Sequence, residues 1–369
     1  MPTPSLARTL KSILNLVDQE EWYAAHQKYR TSAARLLKSN EPQSIQDAIS
    51  LLFEGSKLLL QRHQLGSGTD LGLMLIRDVY VSRSYPYTEE ERHKLLNLIA
   101  LIGAKDNWRK MIIDSSISYS TTSPDFPSGD PALHFSIGEI YAKEKRWDLA
   151  EIHLLSAGDQ DSAKSLSNVL WSWSILEKDL QEKSLGRYAG RGVIGYLEIG
   201  SITSAKSFLE DFLNKSIKRF PNLLVDSIEI KLKSDNFQPI QIFSLPSLNF
   251  LQLLILTCQI GPGSLPSGLP APIGHTGPTI GKAVFQAMVG RYSRVEKWIG
   301  SNQIKESLDL IAEMYFGIKP QRQSGNILND LMGSLFSGGG PPGPASQGSN
   351  RGSQIRGKPS SGISTPALD

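Results

Sequence analysis

Apolar residues recur at intervals of three and four along the chain from about residue 5 to residue 220. The first clear example is the stripe formed by Trp22, Ala25, Tyr29, Ala33 and Leu36. This spacing places the side chains on one side of a helix, and the same period returns over about residues 43–62 and 201–220. The breaks between such segments are short: Ser39–Pro42, Gly66–Gly68, Tyr85–Tyr87 and Ser123–Pro127. Short breaks are typical of antiparallel helix neighbours, so this part of the chain is predicted to be all-α.

One segment has the pattern of a tetratricopeptide repeat. Asp130 and Pro131 suit the N-cap and first turn of a helix, and apolar and small residues follow at the repeat's positions. These are Ile137, Gly138, Tyr141, Ala150, Leu154 and Ala157. Only this segment carries the signature, and the other helix pairs share only its size. We therefore predict an irregular, tetratricopeptide-like α-α superhelix, right-handed, over about residues 5–317.

The pattern changes after Phe220. Residues 225–232 and 238–243 alternate between apolar and polar side chains, which predicts a β-hairpin over about residues 225–244. A helix is expected after Pro246, and helical periodicity returns at residues 282–299 and 304–316. Between these helices, Gly261–Gly281 holds 6 Gly and 5 Pro in 21 residues, which favours a mobile insertion.

The last segment, residues 318–369, is predicted to be a disordered tail because Gly, Pro and Ser dominate it. Within it, residues 326–336 contain an apolar pattern that fits a short amphipathic helix. Its apolar residues are Ile327, Leu328, Leu331, Met332, Leu335 and Phe336. Such a motif either docks back on its own domain or binds a groove in a partner, and the sequence leaves both open.

Composition excludes several classes of protein. Among 369 residues, 40% are hydrophobic and the net charge is +3, which is too small to indicate a nucleic-acid binder. The single cysteine, Cys258, excludes an internal disulfide. The first residues lack the pattern of a signal peptide, and no apolar run is long enough to span a bilayer, so a cytosolic protein is expected.

No motif with catalytic chemistry stands out. The sequence lacks a phosphate-binding loop and a nucleophile elbow, and its six histidines never form an H-x-x-x-H pair. His134 and His153 could meet between paired helices, yet no pair of carboxylates accompanies them. We therefore expect a scaffold that binds other proteins, without enzymatic activity, cofactor or metal.

Five segments, in this order along the chain, resemble the Golgi-to-ER-traffic protein four family. They are Glu20–Thr31, Gly66–Leu71, Gly129–Tyr141, Ser244–Leu251 and Gly325–Phe336. The resemblance implies a cytosolic, non-enzymatic adaptor in the post-translational targeting of tail-anchored membrane proteins to the ER. It also implies that a small co-chaperone hands client transmembrane segments to a homodimeric targeting ATPase. The adaptor itself would not insert into the membrane.

The same resemblance divides the chain into two binding halves. Residues 1–157 would dock on the ATPase, and residues 158–317 would hold the N-terminal domain of a ubiquitin-like-domain partner. In the first half, Tyr23, His26 and Arg30 are expected on one exposed stripe, either as interface anchors or as a solvated helix flank. Asp70 is interpreted either as a first-turn residue stabilised by a helix N-terminus or as a polar contact to the ATPase.

In the second half, the hairpin and the following helix supply the candidate partner surface. Its residues are Ile228, Ile230, Ile240, Ile242, Phe243 and Leu251. They either clamp the partner or simply cover the end of the superhelix. An alternative function is a tetratricopeptide-type co-chaperone that reads the C-terminal peptides of heat-shock chaperones. Only Lys143, Lys145 and Arg146 offer the basic groove that this function requires.

Overall fold

The computed structural model describes residues 4–104, 106–177, 181–231, 237–261 and 280–319. Within them, the first half is helical: α1 Pro4–Asp18, α2 Trp22–Lys38, α3 Pro42–Gln61, α4 Leu65–Met74, α5 Glu89–Ile102, α6 Asp106–Ser120, α7 Pro131–Lys143 and α8 Trp147–Ala157. The second half adds α9 Gln160–Ser174, α10 Gln181–Glu198, α11 Ile202–Arg219, α12 Pro246–Ile260, α13 Ile280–Val295 and α14 Asn302–Phe316. A π-helical stretch, Leu75–Val81, continues α4, and a 3₁₀ turn, Pro221–Leu223, precedes the strands β1 Leu224–Lys231 and β2 Phe237–Phe243.

Each helix packs mainly on the next one or two along the chain. The contacts run from α1 on α2 through α7 on α8 and α8 on α9 to α12 on α13, and α14 returns to pack on α10. Buried apolar side chains form one continuous core from Ile13 to Phe316. This arrangement confirms the predicted helical superhelix, in which neighbouring repeats bury each other's apolar faces.

The predicted break at Gly66–Gly68 is wrong, because both glycines lie inside α4. The chain turns earlier, at Arg62–Gln64, where His63 adopts a positive φ of 59°. Gly68 serves close packing instead: a Cβ there would lie 2.7 Å from Leu60 Cγ on α3. The hydroxyl of Ser56 donates a hydrogen bond to the Gly68 carbonyl at 2.7 Å across the same contact. Glycine thus marks a helix crossing here rather than a loop.

The repeat-like segment forms the expected helix pair, α7 and α8. Asp130 caps α7, since its Oδ1 accepts a hydrogen bond from the Ala132 N–H at 2.8 Å. Gly138 allows the two helices to approach, because a Cβ there would lie 2.7 Å from Leu154 Cγ. The sequence motif therefore corresponds to a real packing constraint.

The hairpin is present as predicted, with β1 antiparallel to β2 and Ile228 paired with Ile240. The insertion is shorter at its end than predicted, because Ile280 and Gly281 are the first residues of α13. The rest of the insertion, residues 262–279, and the tail with its motif at residues 326–336 lie outside the described residues.

Candidate functional site

A polar cluster joins α2 to α4 on the surface of the N-terminal half. Asp70 Oδ2 accepts a hydrogen bond from Arg30 Nη1 at 2.5 Å and lies 2.8 Å from His26 Nε2. We call His26, Arg30 and Asp70 the α2–α4 cluster. The side chains of Arg30 and Asp70 are 43% and 40% exposed, so the charged part of the cluster faces solvent.

The structure corrects two expectations about this cluster. His26 does not lie on an exposed stripe: it is only 8% exposed, because its ring fills the space between α2 and α4. Asp70 does not lie in a first turn either, because α4 begins at Leu65. Its carboxylate bonds to side chains of α2 rather than to the backbone at a helix start.

Tyr23 lies on the same helix and is 74% exposed, which makes it one of the most exposed large apolar side chains of the described residues. The Arg30–Asp70 pair contributes little stability, because half-exposed ion pairs are typically worth less than about 1 kcal/mol. The Arg30–Asp70 pair therefore does little for folding, and it presents an oriented guanidinium and carboxylate to solvent.

The second candidate region is built by the hairpin and α12. The outer edge of β2 would leave backbone groups unpaired, and two side chains of α12 bond to them. Asn249 accepts from the Phe243 N–H and donates to the Phe243 carbonyl, both at 2.8 Å. Gln252, one turn later, makes the same pair of bonds to Gln241 at 3.3 and 2.8 Å. These amides complete β2 as a third strand would, and they fix the hairpin on α12.

Beside this contact, a groove of about 240 Å³ opens between α11, β2 and α12. Its apolar lining comprises Leu209, Leu213, Ile240, Ile255 and Leu256. The same groove is also lined by polar side chains, which include Lys206 and Glu210. An apolar groove with polar residues around it suits an amphipathic segment of another protein.

The six predicted residues of this region differ in how far the structure buries them. Ile240 lines the groove and Ile242 is half-buried beside it, while Ile228 is 50% exposed. Phe243 and Leu251 are 3% and 0% exposed and belong to the core, so neither contributes surface. The alternation of β2 does not reveal that α12 covers its last residue, Phe243, and Leu251 belongs to the buried face of α12. Ile230 pairs with Gln238 through the backbone, and its side chain lies outside the description.

Two features bear on possible chemistry. His134 and His153 do meet, with their Nδ1 atoms 3.1 Å apart. Burial, together with the neighbouring His134, lowers the pKa of His153 to about 4. Among the described residues, the acidic, histidine and cysteine side chains form no group of three that could hold a metal ion. Burial raises the pKa of the Cys258 thiol to about 12, which leaves it protonated and unreactive.

No helix among the described residues has the length and apolar character needed to cross a membrane.

Sequence reasoning missed a buried ion pair between α6 and the end of α7. Arg109 has a fully buried side chain that donates to both carboxylate oxygens of Glu144 at 2.7 Å. Its guanidinium lies 4.6 Å from the centre of the Tyr141 ring. The sequence around Arg109 carries no sign of its burial or of its partner, which lies 35 residues away along the chain.

Fold and surfaces together define this chain as an α-helical solenoid protein with a hairpin-bearing C-terminal half. The family model of Golgi to ER traffic protein 4 matches residues 42–336. Golgi to ER traffic protein 4 of Schizosaccharomyces pombe is 28% identical over 330 residues, which cover 89% of this chain and 95% of that protein. Its Aspergillus fumigatus counterpart is 27% identical over 350 residues, covering 91% of each.

A solved structure agrees with these sequence relatives. The crystal structure of C. therm. Get4 matches with a TM-score of 0.72 and 29% identity, covering 91% of this chain and 96% of that one. The chain therefore belongs to the Golgi to ER traffic protein 4 family, as the resemblance of its five segments predicts.

Proposed function

We propose that this chain is an adaptor in the post-translational targeting of tail-anchored proteins to the ER, which joins a homodimeric targeting ATPase to a ubiquitin-like-domain partner. Family membership supports a part in Golgi-to-ER traffic. The two partners follow from the resemblance, which assigns the ATPase to residues 1–157 and the ubiquitin-like partner to residues 158–317. A small co-chaperone and its clients would meet the chain only through these partners, in the cytosol.

The observation that carries the proposal is the α2–α4 cluster. Two segments that resemble the family meet at this cluster. Arg30 and Asp70 lie 40 residues apart along the chain, and both contribute with His26 to one oriented arrangement. Because the pair adds little stability, the exposed guanidinium and carboxylate are better explained as contacts for a partner. Residues 1–40 carry six basic and three acidic side chains, so an acidic face of the ATPase is the natural complement.

The groove beside the hairpin supports a different kind of contact. Its apolar lining and the fixed position of β2 on α12 favour insertion of an apolar segment from the ubiquitin-like partner. Burial of apolar side chains mainly lengthens the lifetime of a complex. We assign Ile240 and Ile242 to this contact, with Ile228 at its exposed margin.

The heat-shock co-chaperone alternative has weaker support. It needs several basic residues that converge on a peptide carboxylate. Among its candidates, Lys143 ends α7, Lys145 occupies a turn with positive φ, and Arg146 lies 3.9 Å from Asp148. Membership in a family of traffic proteins also favours the adaptor.

Binding of the purified full-length chain to each purified partner tests the proposal. The adaptor should bind the ATPase and the ubiquitin-like protein at the same time, and Arg30→Glu should weaken only the first contact. Lys305→Glu is the matched control, since it makes the same charge change at an exposed position of α14, outside residues 1–157. Failure of the wild-type chain to bind the ATPase, or binding to heat-shock chaperone tails instead, would overturn the proposal.

A further inference from the structure

Two large apolar side chains face solvent on α6. Trp108 is 40% exposed and Met111, three residues later, is 38% exposed. Residues three apart on a helix lie side by side on its surface, so they form one apolar pair. Tryptophan dominates the energetics of many interfaces, and methionine adapts to irregular partners. Single exposed apolar residues are common, so the surroundings of this pair decide its meaning.

The neighbouring helix α4 presents a glycine, which has no side chain, to one edge of the indole. A Cβ built on Gly66 of α4 would lie 3.6 Å from Trp108 Cζ2, which is ordinary contact distance. A Cβ could therefore be added at position 66, in contrast to position 68, where a Cβ would lie 2.7 Å from Leu60. Glycine is an unfavourable helix residue and a Cβ would fit here, so the lack of a side chain at position 66 means that this residue adds no cover to the exposed part of the indole.

This open indole lies next to the α2–α4 cluster. Gly66 and Asp70 are four residues apart on α4, so they occupy the same face at a spacing of roughly 6 Å. From Asp70 the surface continues to Arg30 on α2, and from Gly66 it continues to Trp108 on α6. The helix α4 packs on both α2 and α6, which makes the three helices one continuous surface.

We propose that Trp108 and Met111 form an apolar anchor site that receives an apolar side chain of the same partner that docks on the α2–α4 cluster. The inference rests on the proposed function, which identifies that partner as the targeting ATPase. Its occupant is an apolar side chain close to acidic residues, because the acidic residues face Arg30 while the apolar one covers the indole. The charged cluster would guide the encounter, and the anchor would slow dissociation.

Binding kinetics of the full-length chain with the purified ATPase test the anchor. Trp108→Ala should raise the dissociation rate at least tenfold and leave the salt dependence of association unchanged. Gly66→Gln should raise the dissociation rate about threefold by covering the indole, and it should not lower the melting temperature, because a Cβ at this position makes only ordinary contacts and glutamine favours the helix more than glycine does. Met314→Ala, on the exposed face of α14, is the control and should bind like wild type.

The outcomes separate the anchor from the function on which it rests. If Arg30→Glu weakens binding while Trp108→Ala and Gly66→Gln dissociate like wild type, the anchor is wrong and the adaptor function stands. If the wild-type chain does not bind the ATPase, both are wrong. If Trp108→Ala melts early, Gly66→Gln still decides the question, since it leaves the indole in place.

Discussion

The α2–α4 cluster and the hairpin groove differ in how the chain builds them. The cluster stands on two regular helices, and its parts are three polar side chains, of which two face solvent. The groove depends on a hairpin whose edge is held by side-chain amides of α12, and its lining combines apolar side chains with polar ones. A charged surface on rigid helices favours fast encounter, whereas an apolar groove favours a long-lived complex. Under the proposed function, one solenoid would combine a contact whose charges speed association with one whose apolar side chains slow dissociation.

The largest effect is expected in the groove. Ile240→Asp puts a carboxylate among apolar side chains, so the affinity for the ubiquitin-like partner should fall by about 100-fold, equivalent to about 2.7 kcal/mol. ATPase binding should remain unchanged, as titration calorimetry with each partner would measure. Val225→Asp is the control, because Val225 is 65% exposed beside the hairpin's irregularity. Equal losses in both variants would mean that the groove is not the contact.

The amide bonds to β2 should matter next. Asn249→Leu removes the partner of the Phe243 N–H and carbonyl together, so the free energy of unfolding should fall by about 2 kcal/mol. Hydrogen exchange should accelerate at the Phe243 amide and leave α2 unaffected. Asn302→Leu, at an exposed position on α14, should change neither quantity. Unchanged protection of β2 would show that the hairpin does not need α12.

A smaller effect is expected in the cluster. Arg30→Glu sets two carboxylates side by side at Asp70 and reverses the local charge, so the association rate with the ATPase should fall about tenfold. Added salt should slow association of the wild type and have little effect on the ubiquitin-like partner, because salt screens exposed charges over about 8 Å. Stopped-flow rates across a salt series measure both. If the association rate of the wild type with the ATPase does not change with salt, the cluster is not part of the docking surface.

The helical half of the fold was predictable because its signal is local. The three- and four-residue period of α2, α3 and α11 survives in the structure, and so does the cap at Asp130. The misplaced break in α4 shows the limit of that logic. Glycine at position 68 permits a helix crossing whose partner, Leu60, is identified only by the fold. A residue type that serves both loops and close contacts cannot be interpreted from its neighbours alone.

The sites were less predictable because they depend on contacts between distant segments. Sequence placed Tyr23, His26 and Arg30 together on α2, but the burial of His26 depends on α4. Sequence pattern alone does not show that Phe243 and Leu251 are buried, because their burial follows from the packing of α12 on β2 and on neighbouring helices. The pairing of Arg109 with Glu144 had no local signal for its partner. The hydrophobic pattern of a sequence therefore locates its helices and strands. Which individual side chains are buried becomes clear only from the packed structure.

The smallest predicted effect concerns the helix pair between the two regions. His134 and His153 lie on α7 and α8, and burial lowers the pKa of both rings, that of His153 to about 4. As the pH falls below about 6.5, the two histidines bind protons in the unfolded chain more readily than in the folded chain. Acid therefore lowers the free energy of unfolding. Opposing carboxylates are present, since Asp130 and Asp114 act to raise these pKa values, yet burial outweighs them.

From pH 7 to pH 5.5, His153 should cost the fold about 1 kcal/mol, measured as the shift of urea midpoints. His153→Gln should remove the part of the shift that His153 contributes and leave the part due to His134, while His93→Gln should keep the whole shift, because His93 is exposed. Hydrogen exchange at pH 5.5 would then sharpen the comparison of the two regions. Since α8 packs on α9 and α7 on α5, loosening at the histidines should raise exchange in α7 and α8 first, with α2 and α12 still protected. Loss of protection in all four helices together would mean that the two binding regions unfold as one cooperative unit. A change that destabilises one region would then destabilise the other.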